Sequence, residues 1–191
     1  CLIAMHNAPD IPNHQFHAMT RLDQNRAQFQ LASKARVKIK DVKNIVIWGN
    51  HSATQVPDYL NAQIKGQKAP SVITDHEWLK NEFIDTVQKR GADIIKVRGK
   101  SSAASAANAI LMGIKSLHEK NSDVFSSCIL SDGNAYGIQE GLIFSFPCKI
   151  IEPGKVQIVD GFERTTFFNE KIAFSEKELL EERDSIRHFL S

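Results

Sequence analysis

Four short β-type runs follow one another in the second half of the chain, and they constrain its fold more than any other feature. Each run is bounded by glycine, proline or polar residues, and together they cover residues 127–130, 141–146, 149–151 and 156–159. The segment Glu152-Pro-Gly-Lys155 separates the last two runs, and a proline–glycine pair in that place is typical of a hairpin turn. Because a tight turn joins only antiparallel strands, the sequence predicts a small, largely antiparallel sheet.

The first strongly periodic segment predicts an amphipathic helix over about residues 18–35. Its apolar residues Ala18, Leu22 and Phe29 fall within about 40° of one another at 100° per residue, so they mark the face that we expect to be buried. Upstream of this helix, the segment Pro-Asp-Ile-Pro within residues 1–18 prevents a continuous helix and predicts a connector.

Three later segments also have helical patterns. One is predicted to begin at Asp75 and to stop at Gly91, one covers about residues 101–120, and the last begins at Ser175, where Glu178 completes a capping box. The last helix is expected to bury three apolar residues, Leu179, Ile186 and Leu190. The alanine-rich and serine-rich middle helix lets a neighbouring backbone approach closely, which predicts a central position. We therefore predict an α+β fold with helices packed on the sheet.

The balance of charge excludes several classes of partner. The 191 residues include 24 Lys+Arg and 22 Asp+Glu, a formal net charge of +2, and neither sign is gathered into a long block. Neither a nucleic acid nor an anionic membrane is therefore expected as a partner. No stretch approaches the roughly 18 apolar residues of a membrane span. Cys1, Cys128 and Cys148 are spaced too widely for a zinc site or a disulfide framework, which favours a reducing, cytoplasmic compartment without a bound metal.

Three polar residues occupy unusual positions. On the first predicted helix, Arg26 lies within about 40° of Leu22, at the edge of the apolar face, and Asp23 lies about 60° further round. His51 follows an apolar β-type run at 44–48 and a glycine, and loops at strand ends commonly carry catalytic side chains. Taken singly, an i,i+3 ion pair and a loop histidine are more often structural.

Together, these three residues suit one kind of chemistry. His51 is a candidate acid and base near neutral pH, Asp23 is a carboxylate that could orient it, and Arg26 could bind a substrate carboxylate through two hydrogen bonds. Such a group suits proton transfer at the oxygen of a 2-oxo or 2-hydroxy acid.

Five motifs in the chain resemble those of malate dehydrogenases of the cytosolic type, in the lactate/malate dehydrogenase superfamily. They occur in the order and at the separations usual in that family: Thr20-Arg-Leu-Asp-Gln-Asn-Arg26, Ile47-Trp-Gly-Asn-His-Ser-Ala-Thr-Gln-Val-Pro-Asp58, Val87-Gln-Lys-Arg-Gly91, Gly99-Lys-Ser-Ser-Ala-Ala-Ser105 and Ser131-Asp-Gly-Asn-Ala-Tyr-Gly137. The resemblance covers essentially the whole chain. It implies the C-terminal, substrate-binding half of that fold, without most of the Rossmann domain. Residues 1–18 would be the tail of the dinucleotide-binding domain and a connector, and residues 19–191 the catalytic domain.

The resemblance also implies roles for single residues. His51 would be the proton donor and acceptor, Asp23 its carboxylate partner, Arg26 the clamp for a substrate carboxylate and Ser105 a polar contact in the active site. The implied reaction is the reversible NAD-dependent oxidation of L-malate to oxaloacetate, a step of the tricarboxylic acid cycle. The implied assembly is a cytoplasmic homodimer, with the helix over residues 23–36 near the subunit contact.

Two alternatives to a malate dehydrogenase stay open. The glycine-rich dinucleotide fingerprint does not occur in this sequence, so the residues that bind the cofactor are unknown and the isolated chain is expected to be inactive. The chain could therefore be a folded fragment that retains only a dimerisation surface. It could also belong to a dehydrogenase of another 2-hydroxy acid, because the loop that discriminates between substrates in the family is not in this sequence. The preference for NAD or NADP is open for the same reason.

Overall fold

The computed structural model describes residues 1–119 and 123–190. The helices are α1 (Leu2–His6), α2 (Arg21–Lys34), α3 (Ala69–Val72), α4 (His76–Trp78), α5 (Ile84–Arg98), α6 (Ala103–His118) and α7 (Thr166–Ser185). A π-helical segment, Leu79–Phe83, joins α4 to α5, and 3₁₀ turns lie at Asn13–Gln15, Ile39–Asp41 and Arg187–Phe189. The strands are β1 (Val42–Lys43), β2 (Ile47–Trp48), β3 (Val56–Pro57), β4 (Gln63–Ile64), β5 (Gln67–Lys68), β6 (Phe125–Leu130), β7 (Ile143–Glu152) and β8 (Lys155–Ile158).

The strands of the described ranges pair only in the antiparallel sense. They form the sheets β1-β4-β5, β2-β3 and β6-β7-β8. In the largest sheet, β6 pairs with β7 along its whole length, and β7 returns into β8 through the predicted turn, where Gly154 has a φ of +76°. A single bridge between Gly49 and Ser145 ties the β2-β3 hairpin to β7. The prediction of an α+β fold with an antiparallel sheet is therefore confirmed.

Strand β7 joins two runs that the sequence predicted as separate strands. It continues through Pro147, which stands opposite Ser126 on β6. The backbone N–H of Ser126 donates to the side-chain Oε1 of Gln24 on α2, 2.8 Å away, so it points away from β7. Because this pair exchanges no backbone hydrogen bond, the proline removes none from the ladder between β6 and β7.

The helix from Asp75 continues past Gly91, where the sequence predicted its end. Its start is as predicted, since the Asp75 carboxylate accepts from the backbone N–H of Trp78 at 3.1 Å. The helix ends at Arg98, and Gly99 closes it with a φ of +66°. A glycine inside a helix costs only about 1 kcal/mol relative to alanine, which tertiary contacts readily offset.

The final helix begins at Thr166, nine residues before the predicted start at Ser175. Ser175 is therefore not a helix cap; it is fully buried in the middle of α7. The buried residues of this helix are Phe168, Ile172 and Ser175, whereas the three apolar residues expected to be buried, Leu179, Ile186 and Leu190, are only partly covered.

Two helices bury faces that differ from the predicted ones. In α2, Phe29 is 53% exposed, and the buried residues are Asp23, Gln24, Ala27, Leu31 and Ala32. The helical periodicity of the apolar residues predicted the wrong buried face for α2, because two polar residues of this helix have hydrogen-bonding partners inside the fold. Helix α6, which the sequence placed at the centre, buries only Ala109. None of the helices in the described ranges is long and apolar enough to cross a membrane.

Trp48 lies at the centre of the core, directly before the loop that carries His51. Its ring is fully buried and packs edge-on against Tyr136, with the ring centroids 4.7 Å apart. Its indole N–H donates to the buried carboxylate of Asp58 at 3.0 Å, and Asn61 donates to the same carboxylate through its backbone and its side chain. Burial raises the pKa of Asp58, although these donors oppose the effect.

We predict that Asp58→Leu lowers the free energy of unfolding of the chain by about 3–5 kcal/mol, because three buried donors lose their acceptor at once. Urea unfolding monitored by tryptophan fluorescence measures this loss. The matched control is Asp85→Asn, at an exposed i,i+4 ion pair with Lys89, and it should change stability by less than about 0.5 kcal/mol. Equal effects of the two variants would contradict this role for Asp58.

Candidate active site

His51 lies in the loop that follows β2, and a glycine sets the course of that loop. Gly49 has a φ of +93°, a left-handed conformation that residues with side chains rarely adopt. A Cβ at this position would also lie 2.2 Å from the Oγ of Ser175 on α7. The chain can therefore pass close to α7 and turn His51 towards α2 only with a glycine at residue 49.

The structure brings Asp23, Arg26 and His51 into contact. The Nη1 of Arg26 lies 2.9 Å from Asp23 Oδ1, and the Nε2 of His51 lies 3.0 Å from Asp23 Oδ2. Each oxygen of the Asp23 carboxylate therefore lies within 3.0 Å of a nitrogen of a basic side chain.

The burial of the three side chains differs sharply. The side chain of Asp23 is 2% exposed, that of Arg26 is 16% exposed and that of His51 is 47% exposed. The carboxylate is therefore enclosed by the guanidinium of Arg26 and the imidazole of His51, which are both partly exposed. A buried carboxylate stays ionised only where charges and donors replace its hydration.

The pKa shifts follow from this arrangement. Burial works to raise the pKa of Asp23, but His51, Arg26 and Gln55 outweigh burial and hold the pKa below its ordinary value. The contact with Asp23 raises the pKa of His51, against desolvation and the positive charge of Arg26, which lower it. Both shifts therefore favour the pairing of a protonated imidazole with an ionised carboxylate.

Gln55 and Ser102 also belong to this group, although the sequence analysis did not select them as site residues. The buried side chain of Gln55 donates to Asp23 Oδ1 at 3.4 Å, and its backbone carbonyl accepts from Gln88 at 2.7 Å. Arg26 Nη2 lies 3.5 Å from the hydroxyl of Ser102, at the limit of a hydrogen bond. Both residues lie within motifs quoted above, but no periodicity distinguishes them.

Ser105, the fourth predicted site residue, lies one turn further along α6 than Ser102. Its side chain is exposed. The hydroxyl next to the guanidinium of Arg26 is that of Ser102. The structure therefore brings together three of the four predicted residues and leaves Ser105 at the edge of the group.

The loop that carries His51 is also bound to α7. The carboxylate of Glu178 accepts hydrogen bonds from Asn50, Ser52 and Thr54. Burial works to raise the pKa of Glu178, but these three donors outweigh it and hold the pKa below its ordinary value. The sequence analysis selected Glu178 only as part of a helix cap, because the contact to residues 50–54 spans more than 120 positions.

His51 and Arg26 both contact Asp23, and both side chains are partly exposed. A cavity of about 220 Å³ begins at the ring of His51, but Arg26 does not line it. An imidazole and a guanidinium held to one carboxylate have the chemistry to bind a small substrate carboxylate. Among the described residues, no three His, Cys, Asp or Glu side chains are grouped to hold a metal ion.

Sequence comparison relates the chain to known dehydrogenases. A family model described as the lactate/malate dehydrogenase α/β C-terminal domain matches residues 20–190. The chain is 53% identical over 192 aligned positions to the malate dehydrogenase of Protochlamydia amoebophila (strain UWE25), and the match covers 100% of this chain and 58% of that relative.

Solved structures agree with this relationship. A malate dehydrogenase from Naegleria fowleri superposes with a TM-score of 0.92 at 45% identity, over 99% of this chain and 58% of that structure. A lactate dehydrogenase from Trichomonas vaginalis, in complex with NADH and oxamate, superposes with a TM-score of 0.94 at 36% identity, over 100% of this chain and 59% of that structure. This chain thus spans less than two thirds of the length of these relatives. It belongs to the lactate/malate dehydrogenase family, and it corresponds to the α/β C-terminal domain of that family.

Proposed function

We propose that this chain supplies the substrate-binding and proton-transfer residues of an NAD-dependent malate dehydrogenase, which oxidises L-malate reversibly to oxaloacetate. The observation that carries the proposal is the buried Asp23 carboxylate, held between the exposed edges of His51 and Arg26. The 53% identity to a malate dehydrogenase supports malate over another 2-hydroxy acid. Because one structural relative is a lactate dehydrogenase, the alternative function is oxidation of another 2-hydroxy acid.

His51 carries the proton in this mechanism. In the direction of oxidation, the ring nitrogen that does not face Asp23 takes the proton of the C2 hydroxyl, and the imidazole becomes an imidazolium. The Asp23 carboxylate stabilises that charge through its 3.0 Å contact. In the reverse direction, His51 returns the proton to the carbonyl oxygen. NAD, when bound, supplies the acceptor for the hydride that leaves C2.

Arg26 orients the substrate. Its contact with Asp23 uses Nη1, so the outer edge of the guanidinium can donate to both oxygens of the C1 carboxylate of the substrate. A charge-assisted contact of this kind is worth about 1.5–3 kcal/mol. Ser105 is proposed as a further polar contact, one helical turn from the Ser102 hydroxyl that lies beside Arg26.

NAD is the proposed cofactor, because a structural relative binds NADH at 36% identity. The side chains of His51 and Arg26 fit the reacting end of such a site, where the substrate meets the nicotinamide. The glycine-rich turn that holds a dinucleotide phosphate does not occur in residues 1–191, so the cofactor would be held mainly by the part of the relatives that this chain does not cover. We therefore propose that the isolated chain is inactive.

The family resemblance also suggests domain boundaries and an oligomeric state. We propose that residues 1–18 are the tail of the dinucleotide-binding domain with its connector, that residues 19–191 are the catalytic domain, and that the enzyme is a cytoplasmic homodimer. The exposed Phe29 on α2 and the exposed Leu111 on the adjacent α6 support a subunit contact on this side of the chain, because exposed large apolar residues on packed helices suit an interface.

The first test replaces the proton carrier. In a chimera in which this chain replaces the matching segment of the Protochlamydia amoebophila enzyme, His51→Gln should lower oxaloacetate reduction by about 10²–10⁴-fold, since the variant loses general acid and base catalysis. Oxidation of NADH followed at 340 nm measures the rate. The control is His76→Gln, an exposed histidine at the start of α4. A His51→Gln rate within threefold of the parent chimera would remove His51 from the mechanism.

The second test addresses the carboxylate clamp. Arg26→Lys replaces a planar fork by a point charge, so it should raise the KM for oxaloacetate at least about tenfold while the KM for NADH stays nearly constant. Steady-state kinetics of the same chimera separate the two constants, and Arg187→Lys, at an exposed surface ion pair, is the control. Equal weakening of substrate and cofactor would assign Arg26 a structural role instead.

The third test is a titration of His51 by NMR in the 191-residue chain. Because the contact with Asp23 raises the pKa of His51, the ring should titrate above its ordinary value near 6.5, and Asp23→Asn should lower the midpoint. The stability gained from the pair is then complete below pH 6.5 and is lost as the pH rises through the raised pKa. An unchanged His51 midpoint in Asp23→Asn would contradict the pairing.

A further inference from the structure

The loop that carries His51 is bound to α7 by a compact hydrogen-bonded cluster, which we call the loop anchor. It consists of Asn50, Ser52, Thr54, Ser175 and Glu178. Asn50 Nδ2 lies 2.8 Å and Thr54 Oγ1 lies 2.7 Å from Glu178 Oε2, and the hydroxyl of Ser52 reaches the same oxygen. The Oγ of Ser175 lies 2.8 Å from the backbone nitrogen of Asn50 and 2.8 Å from Thr54 Oγ1.

An ionised Glu178 carboxylate sets the direction of the hydrogen bonds that lead to it from Asn50 through Ser175 and Thr54. The hydroxyl oxygens of Ser52 and Thr54 also lie 2.9 Å apart, but with both protons directed to Glu178 none remains for a bond between them. An ionised carboxylate only accepts, so the single hydroxyl protons of Ser52 and Thr54 both point to Glu178. Thr54 must then accept from Ser175, and the Ser175 oxygen accepts the backbone N–H of Asn50. One chain of donors therefore runs from the backbone beside His51 through two hydroxyls to the carboxylate of Glu178, and such chains strengthen one another.

The residues on either side of His51 are both bound to α7. Asn50 binds α7 through both its backbone and its side chain, and Ser52 binds α7 through its hydroxyl. The approach of the loop to α7 is so close that only a glycine fits at residue 49, where a Cβ would lie 2.2 Å from Ser175 Oγ. The loop anchor therefore holds both chain neighbours of His51, while the Nε2 of its ring lies 3.0 Å from Asp23 Oδ2.

From this geometry we infer that Glu178 is a positioning residue for the proton transfer, because its carboxylate holds the His51 loop at the distance at which the imidazole meets Asp23. The inference rests on the proposed function of His51. Glu178 acts through the side chains of Asn50, Ser52 and Thr54, and no contact with the substrate is assigned to it. Removal of its carboxylate would leave the hydroxyls of Ser52 and Thr54 without this acceptor, whereas the Asn50 amide would keep its 2.8 Å hydrogen bond to Glu182 Oε1.

The test compares Glu178→Ala and Glu178→Gln with the control Glu181→Gln. Glu181 lies on the same helix, is exposed and pairs only loosely with Lys177, at 3.8 Å. In the chimera described above, Glu178→Ala should lower kcat for oxaloacetate reduction by about 10- to 100-fold with the KM for oxaloacetate within about threefold, because a displaced His51 slows the proton transfer and leaves the clamp intact. Glu178→Gln keeps an acceptor oxygen at the same place and should recover part of kcat.

A second readout uses the 191-residue chain and does not depend on activity. In Glu178→Ala, the NMR titration midpoint of His51 should move towards the ordinary value near 6.5, because the ring is no longer held against Asp23, and the amide of Asn50 should exchange faster with solvent. Glu181→Gln should change neither signal. If Glu178→Ala does not fold, Glu178→Gln supports the same comparison, since it is expected to shift both signals in the same direction by a smaller amount.

The outcomes separate this inference from the proposed function. A fall in stability without any change in kcat or in the His51 titration would show that Glu178 is only structural and would overturn the inference. Normal activity of Glu178→Ala together with an inactive His51→Gln would overturn the inference and leave the proposed function intact. A fully active His51→Gln would overturn the proposed function, and the inference with it.

Discussion

The rest of the site depends on one buried charge, the carboxylate of Asp23. A carboxylate with 2% of its side chain exposed is stable only while groups around it replace its hydration, and here Arg26 and His51 do so from the surface side and Gln55 from within. That requirement orients both cationic side chains, because each must keep an atom near a carboxylate oxygen. The same contact that stabilises the fold therefore leaves one edge of the imidazole and one edge of the guanidinium directed outwards, where a substrate could meet them.

This arrangement works only if α2 and the loop after β2 are held at a constant distance. Helix α2 packs against the large sheet, where the side chain of Gln24 accepts the backbone N–H of Ser126. The loop is held from the other side, by the close passage of Gly49 and the carboxylate of Glu178 on α7. The position of His51 thus results from contacts between segments that are distant in the chain, and packing interactions of this kind resist small displacements.

Local patterns predicted the elements well and their faces poorly. The turn at Gly154 and the start of a helix at Asp75 were predicted correctly, because turns and helix starts depend on residues within one or two turns of the chain. The face of α2 was predicted wrongly, since a wheel of apolar residues assumes that polar residues point outwards, and Asp23 and Gln24 have partners inside. Ser175 was assigned to a helix cap because the cap pattern is local. In the structure its hydroxyl is bonded instead to Asn50 and Thr54, which lie 125 and 121 positions away in the chain.

By itself, the sequence determined the α+β class and the antiparallel hairpin, and it selected Asp23, Arg26 and His51 as candidate site residues, because turn chemistry, β runs and an ion pair at the edge of an apolar face are all local signals. The five motifs that the sequence shares with the lactate/malate dehydrogenase family predicted membership of that family, and the comparisons confirm it. Only the tertiary structure decided that Ser102 is the hydroxyl next to Arg26, that Gln55 supports Asp23 and that Glu178 binds the His51 loop. These contacts join residues from different elements, and no periodicity along a single element encodes the distance between two of them.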